Sequence, residues 1–168
     1  MYSITNFLGK FQIGARPNLF RVEIPMLGNT CPFLVKGAQI PGRTISKTPV
    51  NYLDNQFFVG GDTTYQDWTI NVLNDINYDI RFRLEDWMNS IKQQGQTSGV
   101  SCWQYLKDGQ VTQIGSKGED VITYTMYNMF PVDVTPIDLS WDTTSAIEEY
   151  QVTFSFSHFG KDFNGLGF

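Results

Sequence analysis

The chain of 168 residues holds a single histidine, His158, and two cysteines, Cys31 and Cys102. One histidine excludes paired-histidine zinc sites, and the spacings of a nucleophile elbow, a Walker A loop, a dinucleotide fingerprint or an EF-hand loop do not occur. The cysteines lie far apart, lack a CxxC spacing and are too few for a disulfide framework, so a reducing compartment is expected. Basic residues are also scarce, 12 against 17 acidic for a formal net charge of -5. There is therefore no general positive field to attract nucleic acid or an anionic membrane. No run of about 18 apolar residues occurs, and Met1 to Lys10 lacks a basic stretch leading into an apolar one. Neither secretion nor a membrane anchor is expected, and nothing calls for a cofactor or a metal.

Aromatic residues are abundant, with 13 Phe, 8 Tyr and 4 Trp, which together with 41% hydrophobic residues places the chain among globular rather than disordered proteins. Its length suits one domain, residues 1–168, with an N-terminal arm over 1–14 and a C-terminal tail over 160–168. A chain of this size buries roughly 70% of its unfolded surface. Alternation predicts a first strand over Asn18 to Met26 and, after the Gly28-Asn29 turn signal, a second over Phe33 to Lys36, the two forming a hairpin. Arg43 to Thr64 reads as a long, partly exposed ribbon, with Pro49 marking an edge and Gly60-Gly61 a turn. Its apolar tip Phe57-Phe58-Val59 would be an aggregation liability if bare, so another subunit is expected to cover it.

Asp67 to Leu73 puts Trp68, Ile70 and Val72 on one strand face. The period then changes: Ile80, Leu84, Trp87, Met88 and Ile91 form the stripe of an amphipathic helix over about 77–94, about 26 Å long over Tyr78 to Gln94. Asn74, Asp75 or Asn77 can cap it, Arg81 and Glu85 are spaced as an i,i+4 pair, and Gly95 can end it. Trp103 to Ile114 suggests a strand pair turning at Asp108-Gly109. Long strands follow over Asp120 to Phe130 and Ala146 to Phe159, joined by a connection containing Pro136, Leu139 and Trp141. The fold class expected is mainly β.

His158 falls in phase with Phe154 and Phe156 and reads as a half-buried structural residue rather than a catalytic base. Carboxylates pair at Glu85-Asp86, Glu119-Asp120 and Glu148-Glu149. Neighbours on a strand point to opposite faces, so solvated surface explains these pairs better than a two-carboxylate glycosidase. No enzyme is expected.

The block Ala15-Arg16-Pro17-Asn18-Leu19-Phe20-Arg21-Val22-Glu23-Ile24 resembles the opening of tail tube proteins from T-even-like, contractile-tailed (myovirus-type) bacteriophages. Pro49-Val50, Gly61-Asp62-Thr63-Thr64 with Asp67-Trp68-Thr69, Asn74-Asp75, Asp86-Trp87, Leu139-Ser140-Trp141-Asp142, Glu149 and Val152-Thr153-Phe154 are similar to that family in the same order. The likeness spans Ala15 to Phe156, is loose over Gly95 to Gly118, and leaves both ends unmatched.

That resemblance implies a two-sheet, barrel-like β-sandwich with one flanking helix. It also implies rings of six copies whose inner sheets join into one barrel, and stacking of rings into a hollow tube that conducts DNA. The implied partners are further copies of the chain, a contractile sheath outside, a tape measure protein and double-stranded DNA in the lumen without sequence-specific binding, and baseplate hub and tube terminator proteins. The implied location is the virion tail, assembled in the host cytoplasm. A ribbon seeking partners makes Pro49, Val50, Phe57, Phe58, Val59 and Asp62 the candidate inter-subunit residues. Because a basic wall would retain DNA and an acidic one repel it, Glu119, Asp120, Glu148 and Glu149 are candidates to face the lumen. Two alternatives stay open: the tube subunit of a protein-delivery or type VI secretion system, and a monomeric carbohydrate-binding β-sandwich.

Overall fold

The computed structural model describes residue 4 and residues 16–92, 101–142 and 146–163. In chain order the strands are β1 (Phe20–Glu23), β2 (Val35–Ala38), β3 (Arg43–Tyr52), β4 (Asn55–Tyr65), β5 (Trp68–Leu73), β6 (Lys107–Ile114), β7 (Asp120–Val134), β8 (Glu149–Ser155) and β9 (His158–Phe163). The helices are α1 (Cys31–Leu34), α2 (Asp79–Ile91) and α3 (Cys102–Tyr105), with a 3-10 turn at Pro25–Leu27.

Two long antiparallel tracks build the body. β7 pairs along its first half with β9, from Ile122↔Phe163 to Tyr127↔His158, and along its second half with β8, from Phe130↔Ser155 to Val134↔Val152. β8 and β9 are therefore one track interrupted at Phe156-Ser157, opposite Asn128. Asn128 has a left-handed φ of 54°, its N–H donates to Asp108 Oδ1 at 3.0 Å, and its Nδ2 donates to Ser157 Oγ at 3.1 Å. This hydrogen-bonded corner bends both tracks. One side becomes a sheet ordered β1-β6-β7-β9, the other a sheet ordered β7-β8-β5-β2, every pairing antiparallel. The result is the expected mainly β, two-sheet sandwich.

The inner faces meet in one core. Trp68, Ile70 and Val72 of β5 lie opposite Phe154, Val152 and Tyr150 of β8, and Val22 of β1 lies opposite Val111 of β6, all buried. Helix α2 adds Ile80, Leu84 and Trp87, each side chain of this size contributing about 1.5–3 kcal/mol on burial. The Trp87 ring lies 6.0 Å from that of Phe154, and its indole N–H donates to the Tyr105 carbonyl at 2.7 Å.

Several elements differ from the sequence expectation. The first strand stops at Glu23, because Pro25 opens a 3-10 turn and Pro32 a helical turn, both favoured positions for proline. β1 and β2 form no hairpin; they pair with β6 and β5 on different sheets. Helix α2 is shorter than 77–94, since Tyr78 sits at a left-handed φ of 56° and Lys92 is extended. Of the proposed caps it is Asp75 that accepts the Asp79 N–H, at 3.3 Å, while Gly95 lies outside the described residues. The Arg81–Glu85 pair forms at 2.9 Å. Asp108-Gly109 lies inside β6 rather than at a turn. β9 carries 160–163 into the sheet, while 164–168 and, apart from residue 4, the arm lie outside the described residues.

Candidate assembly surface

β3 and β4 form a two-stranded sheet of their own, separate from the body. Every residue of β3 is exposed, as is β4 up to Thr64. At about 3.3 Å per residue the ten residues of β3 extend about 33 Å. Cross-strand pairs Tyr52↔Asn55, Val50↔Phe57 and Thr48↔Val59 share one face, and Pro49↔Phe58 and Lys47↔Gly60 the other. The structure thus brings together the sequence-predicted residues Pro49, Val50, Phe57, Phe58 and Val59, with the two phenylalanines on opposite faces.

The turn is not at Gly60-Gly61 but at Leu53-Asp54, so Phe57 to Val59 lie within the shaft and not at its tip. The glycines serve a bulge: between Ile45↔Thr63 and Lys47↔Gly60, β4 carries one residue more than β3. Gly61 lies against β3 there, and a Cβ on it would meet Ser46 Oγ at 2.5 Å. Asp62, the remaining predicted residue, belongs to the same bulge.

Apolar side chains occupy both faces of the ribbon. Phe57 and Phe58 are each 57% exposed and Val59 55%. On one face the Lys47 ammonium lies 4.9 Å from the Phe58 ring centre. An isolated two-stranded hairpin is marginally stable in water. Sequence reasoning passed over Leu53, 76% exposed at the tip, and Tyr52 beside it. The available signal was the pair of alternating runs flanking Leu53-Asp54.

At the root of the ribbon an apolar cleft of about 180 Å³ opens on the body. Pro17, Leu19, Phe20, Ile40, Val111 and Tyr124 line it together with the polar Gln113, and among the described residues no charged side chain does.

The four acidic candidates separate into two places. Glu119 sits in the β6–β7 turn, where its Oε2 accepts the Lys117 N–H at 3.0 Å, and Asp120 opens β7 with Oδ2 3.1 Å from Arg21. Glu148 precedes β8 and accepts from Asn74 Nδ2 at 2.7 Å and from the Tyr78 hydroxyl at 3.0 Å, which raises the Tyr78 pKa. Glu149 pairs with Lys36. Because β8 runs back along the far half of β7, the two pairs stand at opposite ends of β7 and on different sheets. Within the subunit the four do not come together at one place.

His158 is exposed rather than half-buried, because the interruption at Phe156-Ser157 shifts the phase of the track. Its ring stacks on Tyr127 at 4.8 Å and its Nδ1 lies 2.9 Å from Ser157 Oγ. Two interior groups titrate unusually. Burial pushes the Cys31 thiol up to about 11, and burial raises Tyr150 to about 12, against the cation of Arg81, which lies 5.2 Å from its ring.

Comparison with known proteins agrees with this architecture. The chain is 32% identical over 146 residues to the tail tube protein gp19 of Enterobacteria phage T4, covering 86% of this chain and 90% of that one, and the phage T6 counterpart matches equally. Among solved structures, the tube terminating cap of the anti-feeding prophage superposes with a TM-score of 0.68 at 16% identity, covering 90% of this chain and 93% of that one. A chain of the sheath-tube complex of the PVC extracellular contractile injection system gives 0.63 at 18%, covering 97% and 99%. These two likenesses establish the shared fold. The family model for the phage tail tube protein matches residues 10–161, and the chain belongs to that family as a structural subunit of a phage tail tube.

Proposed function

We propose that six copies close into a ring, and that rings stack head to tail into a hollow tube that a contractile sheath drives into the host and through which DNA passes. The observation that carries this reading is the ribbon: an extended two-stranded element with aromatic residues on both faces that the subunit itself leaves in water. Covering such a surface with further copies removes both its apolar exposure and its free edges. Pro49, Val50, Phe57, Phe58, Val59 and Asp62 are the contact residues in this reading. The 32% identity to phage subunits, against 16% and 18% to the prophage cap and injection-system chains, favours DNA over a protein cargo. A tape measure protein fixes length, baseplate hub and terminator proteins bound the ends, and assembly takes place in the host cytoplasm. The subunit carries no catalytic role and acts as one domain over 1–168.

Conduction needs a wall that does not hold DNA. Double-stranded DNA presents about one charge per 1.7 Å, and repulsion from an acidic wall reaches about 8 Å at physiological salt. In this reading some of Glu119, Asp120, Glu148 and Glu149, which stand on two different sheets, face the channel. Electron microscopy of the purified protein tests the reading: rings or rods of uniform bore are expected, and small particles at all concentrations refute it. A reconstruction showing a neutral or basic lumen would remove the acidic lining while leaving the tube.

A further inference from the structure

We infer that Leu53 at the tip of the ribbon seats in the apolar cleft at the ribbon's root on a second copy of the chain. The inference rests on the tube reading above and specifies one contact within it. The turn is a two-residue loop closed by the Tyr52↔Asn55 pair, with φ of 43° at Leu53 and 59° at Asp54. Two successive positive φ values favour Asn, Asp and Gly, and Asp54 conforms. Leu53 does not: its Cβ crowds the following carbonyl in this conformation. Its side chain is 76% exposed, and within the turn only its backbone carbonyl is engaged, accepting from Asn55 Nδ2 at 3.3 Å. Neither turn chemistry nor burial within the subunit accounts for a leucine there. A strained residue at an exposed position points to a use outside the subunit.

The cleft supplies the complement. It is mostly apolar and, among the described residues, uncharged, and at about 180 Å³ it has room for an aliphatic side chain. Ile40 on its rim lies three residues before the ribbon's first strand, so the cleft and the tip are separated by about the ribbon's own length, about 33 Å. A copy therefore does not fill its own cleft with its own tip. Knob and socket on different patches make a heterologous contact between copies, with a displacement set by the ribbon.

Leu53→Asn is the informative substitution, because asparagine accepts the left-handed conformation while removing the knob. The expected result is an unchanged or higher melting temperature together with at least a tenfold rise in the concentration needed for tubes. Tubes at the wild-type concentration would overturn the contact. Independently, Leu53→Cys and Ile40→Cys in a Cys102→Ser background, oxidised after assembly, should give ladders of disulfide-linked multimers on denaturing gels. Absence of a ladder from assembled tubes overturns the contact, as does a cleft filled by residues 1–15 of the same chain in a reconstruction. If the wild-type protein forms neither rings nor tubes, the tube reading itself fails; if it forms tubes that Leu53→Asn leaves intact, only the knob fails.

Discussion

Replacing Phe57 and Phe58 together by serine separates folding from assembly. Each ring is 57% exposed in the subunit. Full burial of a phenylalanine contributes about 1.5–3 kcal/mol, so covering the exposed fraction of both rings contributes about 2–3 kcal/mol per subunit contact, roughly a 30- to 150-fold change in the concentration needed to add a subunit. The fold should lose much less. Neither ring belongs to the core, and the interaction within the subunit that goes with them is the exposed Lys47–Phe58 contact, about 0.5–1 kcal/mol. A chain of this size shifts its melting temperature by about 2–4 °C per kcal/mol, so a fall of at most about 4 °C is expected. Sedimentation velocity and electron microscopy over a concentration series read the assembly, and calorimetry reads the fold. Tubes from the double variant at the wild-type concentration would refute the ribbon as an assembly element. A fall in melting temperature well beyond 4 °C would refute its independence from the body.

Trp87→Ala should cost about 3–5 kcal/mol, because the side chain is fully buried and its hydrogen bond to Tyr105 is lost with it; an unfolding free energy in urea lowered by less than about 1 kcal/mol would contradict the packing of α2. Gly61→Val drives a Cβ toward Ser46 Oγ and should impair assembly while leaving the thermal transition of the body within about 2 °C, read by light scattering and calorimetry. Alkali should weaken the fold by linkage. The neutral forms of Cys31 and Tyr150 are favoured when folded, so their contributions are complete below the ordinary values of 9.0 and 10.0 and are lost as pH rises toward about 11 and about 12. Tyr150→Phe should flatten the decline above pH 10, and a decline identical to wild type would contradict the burial of that hydroxyl. Native protein should take up one equivalent of maleimide, at exposed Cys102, and a second at buried Cys31 only on unfolding.

Much of the body was legible because its pattern is local. The alternation around Trp68, Ile70 and Val72 and the helical stripe of Ile80, Leu84 and Trp87 each fix a face whatever lies opposite. Pairing was not legible in the same way. Gly28-Asn29 looks like a hairpin turn, yet the partners of β1 and β2 come from β6 and β5, and a distant partner leaves no mark beside the strand it joins. Glycine misled for a related reason. Gly60-Gly61 carries the composition of a turn, but Gly61 is needed for close approach of β4 to Ser46, while the true turn uses Leu53 and Asp54 at positive φ. The long strand expected through His158 was correct as a path and wrong in phase, because the corner at Asn128 and Ser157 resets the alternation.

The assembly surface was harder to read because an apolar face has the same sequence signature whichever molecule covers it. Phe57-Phe58-Val59 and the Trp68 to Val72 strand are both rich in large apolar and β-branched residues, and both suit a pleated surface. Folding separates them: Trp68 and Val72 end at 1% and 0% exposure, Phe57 and Val59 at 57% and 55%. What distinguishes the segments is the surrounding supply of partners. β5 lies between β8 and β2, whereas β4 has only β3, so its apolar residues have no second layer among the described residues. The charged candidates show the converse. The acids beside the long strands were candidates for the lumen, and within the subunit Asp120 is paired with Arg21, Glu149 with Lys36, and Glu148 is held by Asn74 and Tyr78. Local sequence reports which residues need a partner; the fold decides whether the chain itself provides one, and at the ribbon none of the described residues does.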